Sequence, residues 1–266
     1  MQIYTYNKKL QQSLQRTEIQ ELLNYFLELQ EPVILREIRK NFPNQKHLDK
    51  NLDFLIDNDI VSRQDRRYQL SLTIVTEYPT TELVEKFIQT AINKYTTEEL
   101  LVWLGEELRL AELSDTIAID FMLPISNQLE NPHFQLVTIN RGEKLAETLP
   151  NYFENIDQPK LFPNLAALVG DVNPEFFSNQ LSLILDQVII GKKPRRESIF
   201  LDSLLTTQVI TSQPEWQLSI PFYTKTIPPY FVQKMDKRTR FFFIHQLTKR
   251  LLGERESFTY LMKKKA

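Results

Sequence analysis

Apolar residues recur at helical spacing near the start of the chain. Ile19, Leu22, Leu23, Phe26, Leu27 and Leu29 fall on one side of a helix that Thr17 can cap and Pro32 ends. A second, shorter helix covers Leu35 to Phe42 and stops at Pro43. Asn44 precedes a third, in which Leu48, Leu52, Leu55 and Ile56 share a face, with Lys46, Lys50 and Asn51 off it. The turn cluster Asp57-Asn58-Asp59 follows. Ile60-Val61 reads as a short strand, Ser62 to Arg67 as a basic hairpin tip, and Tyr68 to Leu72 as an alternating return strand.

Beyond this module, Ser71 to Pro79 reads as a connection. Helices are expected from Thr80 (Leu83, Val84, Phe87, Ile88) and from Thr96-Thr97-Glu98-Glu99 (Leu100, Leu101, Trp103, Leu104). Asp115 to Leu123 suits either a helix or a buried strand, and Phe134 to Ile139 alternates as a strand. Gly142 to Leu149 reads as a short helix ended by Pro150, and residues 151–173 as irregular chain. Asn173-Pro174 starts a helix that Gly191 closes. Glu197 to Ile210 reads as a helix and Trp216 to Phe222 as a strand ahead of Pro228-Pro229. Lys234 to Leu252 reads as the last long helix. The expected fold class is α+β and α-rich: residues 1–76 as one domain, 77–266 as a mostly helical second one.

Three helices joined by a tight turn at Pro43-Asn44 and followed by a hairpin resemble a winged-helix module, the hairpin-bearing variant of helix-turn-helix. Ile34-Leu35-Arg36-Glu37-Ile38 to Phe42-Pro43 and Arg66-Arg67-Tyr68-Gln69-Leu70 carry that resemblance. Through the same residues the chain resembles an uncharacterised family of proteins from lactic-acid bacteria, within the Firmicutes. The resemblance covers the first quarter and implies a fold without an activity.

Charge is distributed unevenly. Residues 1–76 carry a net +1, residues 77–191 a net −12 and residues 192–266 a net +9. The middle would repel nucleic acid and the end would attract polyanions. In helix-turn-helix docking the third helix enters the major groove and the wing lies on the backbone. The nucleic-acid candidates are therefore Lys46, Lys50, Asn51, Arg63, Arg66 and Arg67, with Arg36, Arg39 and Lys40 within reach of phosphates. Residues 34–70 nevertheless hold eight Lys/Arg against six Asp/Glu, a small excess for a DNA reader. A polyanion patch is expected from Lys192, Lys193, Arg195 and Arg196 together with Lys237, Arg238 and Arg240. The favoured alternative is that the basic end packs against the acidic middle, within a chain or between chains; lying on a membrane is a third use of such a helix.

Several chemistries lack their sequence signatures. With five glycines, none closer than twenty-one residues to another, the phosphate-cradling loops and the nucleophile elbow do not occur. There is no cysteine, and His47, His133 and His245 are too far apart for a paired-histidine zinc motif. His245, inside the last helix, suits a structural role. Carboxylates are plentiful, and Asp120 stands out inside an apolar run where it needs a partner or an edge. No catalytic residue, metal or cofactor is nominated. The N-terminus lacks the apolar run of a signal peptide, and no stretch approaches the ~20 apolar residues of a membrane helix. A cytoplasmic, non-enzymatic protein is expected. It would bind double-stranded DNA through its N-terminal module, with a homodimer supplying two copies, or use that module for contact with another protein.

Overall fold

A computed structural model describes residues 2–113, 115–142, 144–224 and 235–264. The fold is mixed α+β. The chain forms two compact units, Met1–Tyr78 with Glu112–Phe121, and Pro79–Ala111 with Met122–Ala266. A single boundary after residue 76 omits this return of ten residues to the first unit. Lys234 and Pro228-Pro229 lie outside the described residues.

The first unit runs β1 (Gln2–Tyr4), α1 (Lys8–Leu14), α2 (Thr17–Glu28), β2 (Val33–Ile34), α3 (Leu35–Asn41), α4 (Leu48–Asp57), β3 (Val61–Gln64), β4 (Arg67–Leu70), β5 (Thr73–Val75) and, from the returning segment, β6 (Ile117–Ile119). Helices α2 and α4 bury the stripes read from the sequence: Ile19, Leu22, Leu23 and Phe26 meet Ile38, Leu48, Leu52 and Leu55 in one apolar cluster. Thr17 is the first helical residue of α2 rather than its cap, which is Arg16. Strands β3 and β2 flank β4, both antiparallel to it. A second sheet places β6 between β1, antiparallel, and β5, parallel. Asp115 to Leu123 thus resolves to a strand, and Asp120 just beyond it is exposed.

In the second unit, α5 (Thr81–Ala91) and α6 (Thr97–Leu110) precede β7 (Ile125–Glu130) and β8 (Phe134–Asn140). Then come α7 (Leu149–Glu154), α8 (Pro163–Val169), α9 (Pro174–Ile189), α10 (Ile199–Thr206), the short strands β9 (Ile210–Thr211), β10 (Gln217–Leu218) and β11 (Phe222–Tyr223), α11 (Lys237–Leu252) and β12 (Ser257–Lys263). The sheet order is β11-β12-β8-β7, and β12 pairs with β8 over its whole length, Ser257 opposite Asn140 and Lys263 opposite Phe134. All seven residues of β8 are buried. Phe134 and Leu136 face the cluster built by α7 to α10. The opposite face meets α6: the Tyr260 hydroxyl donates to the Val102 carbonyl at 3.1 Å, and any Cβ at Gly105 would collide with it. Helices therefore cover both faces, with α11 packed on α5 and α6.

Covering both faces leaves the polar residues of β8 buried, and each is satisfied. Asn140 and Asn151 exchange side-chain hydrogen bonds at 2.8 and 2.9 Å, Asn127 donates to Asn151 at 2.9 Å, and Thr138 meets Thr148 and Thr259 at 3.0 Å. Removing one partner would strand others, at about 1–3 kcal/mol for each buried group. Asn151 sits on α7, a helix that the sequence reading places earlier, with Pro150 as its stop. Pro150 instead lies in the first turn, where a missing N–H costs nothing, and the Thr148 hydroxyl caps the helix. Further along, α9 has the Asn173 cap, Pro174 start and Gly191 exit (φ 70°) read from its sequence.

Helix α11 buries Phe241, Phe242, Phe243, Ile244 and His245. The His245 Nδ1 lies 2.8 Å from the Phe241 carbonyl oxygen. Burial pushes its pKa down from 6.5 to about 4, against the smaller opposing effect of that hydrogen bond. The unfolded chain takes up this proton near pH 6.5 and the folded chain only near pH 4. His245 therefore costs no stability above pH 6.5, and stability falls as the pH drops from there towards 4, by up to about 1.4 kcal/mol per pH unit. Urea unfolding from pH 7.5 downwards should show this slope, and a His245→Gln variant should lose that component. An equal slope in both proteins would refute the assignment.

Candidate nucleic-acid interface

The basic residues nominated in the first unit sit on three local structures. Helix α3 exposes Arg36, Arg39 and Lys40. The connection to α4 carries exposed Lys46 and ends at His47, which takes up a left-handed conformation (φ 60°) as the N-cap of α4. Lys46 thus lies in the turn rather than on the helix. Lys50 is exposed in the first turn of α4, and neither lysine has a hydrogen-bond or ion-pair partner among the described residues. No side-chain oxygen caps α4, so its leading amides and positive dipole end are open to an anion. An open groove lined by Arg39, Phe42, Pro43, Gln45, Leu48 and Lys50 runs past this end.

Asn51 must be withdrawn as a base contact. Three residues after Leu48 and four before Leu55, it falls on the inward face of α4 and is 7% exposed. Arg39 donates to both carboxylate oxygens of Asp49, at 3.2 and 2.9 Å, so this pair ties α3 to α4. Both side chains are exposed, which keeps the pair weak and open to competition. The outward face of α4 changes sign along its length: Lys50 is near the start, whereas Asp53 and Asp57 are exposed further on.

The hairpin is tighter than the sequence suggests. Gln64 pairs with Arg67, so the loop is Asp65-Arg66 alone, and Arg63 and Arg67 belong to the strands. Arg63 lies opposite Tyr68 with its guanidinium carbon 5.4 Å from the ring centroid, and Arg67 donates to the Pro32 carbonyl at 3.1 Å. Arg66 has no such partner among the described residues. Both loop residues have positive φ, 49° and 63°, as the two-residue hairpin turn that matches strand twist requires. Asp tolerates this conformation, but the second position favours glycine, and an arginine there costs about 1 kcal/mol.

The second nominated patch does not assemble as one surface. Lys192, Lys193, Arg195 and Arg196 are exposed after α9, which belongs to the cluster on one face of the sheet. Lys237, Arg238 and Arg240 open α11, on the other face. Arg240 is half-buried in an ion pair with Glu107 of α6, and Arg238 lies over Phe242, 5.8 Å from the ring centroid. Arg250–Glu85 and Lys264–Glu130 are further pairs. In this unit the basic end and the acidic middle meet within the chain. Among the described residues, no group of three or more His, Asp or Glu side chains is placed to hold a metal ion. No helix among them is long and apolar enough to cross a membrane.

Residues 1–104 match the family described as Domain of unknown function (DUF1803). That match ends inside α6 and stops short of the segment that supplies β6. No curated protein and no solved structure matches the chain.

Glycine at the hairpin tip provides a direct check on its strain. Arg66→Gly should raise the free energy of unfolding by about 0.5–1 kcal/mol in urea melts. Destabilisation would mean that the arginine side chain holds the turn in place.

Proposed function

We propose that residues 17–70 are a winged helix and that they bind double-stranded DNA, placing the protein among DNA-binding regulators. The order helix, strand, helix, helix, strand, strand, with the last strand central in the sheet, supports the first part. Helix α4 is then the recognition helix and β3-β4 the wing. The observation that carries the second part is Arg66. An arginine without a partner among the described residues occupies the one hairpin position where glycine would be more stable, and strain of this kind is retained where a side chain is needed. Lys46 and Lys50, at the leading end of α4, supply the complementary contact.

The sign change along α4 restricts how the duplex is met. Asp53 and Asp57 repel phosphates, so the helix enters by its first turn and does not lie along the groove. Lys46, Lys50, Arg63 and Arg66 are the phosphate contacts that the leading end of α4 and the wing offer. Four contacts give a slope of about −3 to −4 for log K against log salt per module, shallow for a DNA binder.

Fluorescence anisotropy with a labelled duplex at several salt concentrations tests this reading. Lys50→Glu and Arg66→Glu should each weaken binding and flatten the slope by about 1. Asp53→Asn with Asp57→Asn should strengthen it, by about three- to tenfold, on the order of 1 kcal/mol. A second reading draws on the same two aspartates: the acidic half of α4 suits a basic protein partner. Under it the duplex affinity responds to none of these substitutions, and that result would end the proposal.

A further inference from the structure

Helix α9 leaves large apolar side chains in solvent. Phe176, Leu183 and Ile190, at its C-cap, are 53%, 60% and 64% exposed. They are spaced by seven residues, so they form one line along the helix, about 10 Å apart. The opposite side, Phe177, Leu181, Leu185 and Val188, fills the core.

Its layout is symmetric about Leu183. Turned end for end, Phe176 faces Ile190 of the copy, Leu183 faces Leu183, Asn179 faces Gln187 and Gln180 faces Asp186, so no like charges meet along the line. The ends are oppositely charged. Asp171 and Glu175 lie at the start, and Lys192, Lys193, Arg195 and Arg196 follow the end, all of them exposed. None of these side chains forms an ion pair among the described residues. Antiparallel pairing brings Glu175 to Lys192 and Lys193 of the copy, and Asp171 to Arg195, at both ends. Parallel pairing would stack acid on acid and base on base.

We infer that α9 is a self-association surface, on which a second copy of this chain packs antiparallel about a twofold axis at Leu183. Such an interface is isologous, and a stripe of this spacing crosses its partner at a shallow angle. The basic loop after α9 then serves the dimer rather than a polyanion. This inference does not rest on DNA binding.

Light scattering and sedimentation from low to high micromolar concentration, without DNA, test it. The wild-type mass should rise from 31.5 kDa towards twice that value. Leu183→Glu sets two carboxylates face to face on the axis and should keep the protein monomeric throughout. Glu175→Lys should weaken the dimer at least tenfold. Combining it with Lys192→Glu and Lys193→Glu, which exchanges the charges, should restore association. All these positions are exposed, and circular dichroism verifies folding; the charge exchange remains decisive even if Leu183→Glu unfolds. A wild-type protein that stays at 31.5 kDa overturns the inference. So does a dimer that survives Leu183→Glu, or a charge exchange that fails to restore it.

Discussion

Strand β8 has no solvent-exposed residue, and the second unit is organised around covering it. Seven buried positions in a row need apolar partners on two faces, so α6 lies on one and the α7–α10 cluster on the other. The same burial brings Asn140 of β8 and Asn127 of β7 into a set of side-chain hydrogen bonds with Asn151 of α7 at its centre. Hydrogen bonds fix direction as well as distance, so this network holds α7 in register against the sheet more tightly than apolar packing alone. The ion pairs between the basic end and the acidic middle add little energy at exposed sites. Glu107–Arg240 is the exception in being largely shielded from water.

The first unit works differently. Its apolar stripes assemble a small core whose inward demands decide which polar residues remain outside. Asn51 is lost to the interior because the helix repeat brings it round beside Leu48 and Leu55. Arg39 pairs weakly with Asp49 of α4, and Arg67 donates to the Pro32 carbonyl just ahead of β2. At the leading turn of α4 and on the hairpin, Lys46, Lys50 and Arg66 remain for a ligand, with Arg63 half-engaged on Tyr68. The proposed DNA surface is therefore smaller and less basic than a count of Lys and Arg implies.

Helix α1, with two apolar residues in seven, offers no pattern to read, whereas local signals make α2, α3, α4 and the hairpin legible, and the caps of α6 and α9 as well. Elements defined by distant partners are not. Strands β5 and β6 join residues 73–75 to 117–119, and nothing in either segment announces the other. Strand β12 escapes a reading by pattern because Leu261, which joins the α7–α10 cluster, interrupts the alternation of Phe258, Tyr260 and Met262. Pro150 misleads because the same residue that ends a helix also suits its first turn. Of the candidate site, the charged positions can be read from the sequence. The neutralising partner of Arg240 cannot, because Glu107 lies 133 residues away.

On the proposed reading, duplex DNA meets the chain at the leading turn of α4 and the β3-β4 tip. Photocrosslinking the full-length protein to a duplex carrying bromodeoxyuridine, with the sites mapped by mass spectrometry, tests it most directly. Crosslinks are expected within residues 46–50 and 63–67, and should be lost when Lys50 and Arg66 are replaced by glutamate. Crosslinks confined to the loop 192–196 or to α11, or none above background, would contradict it.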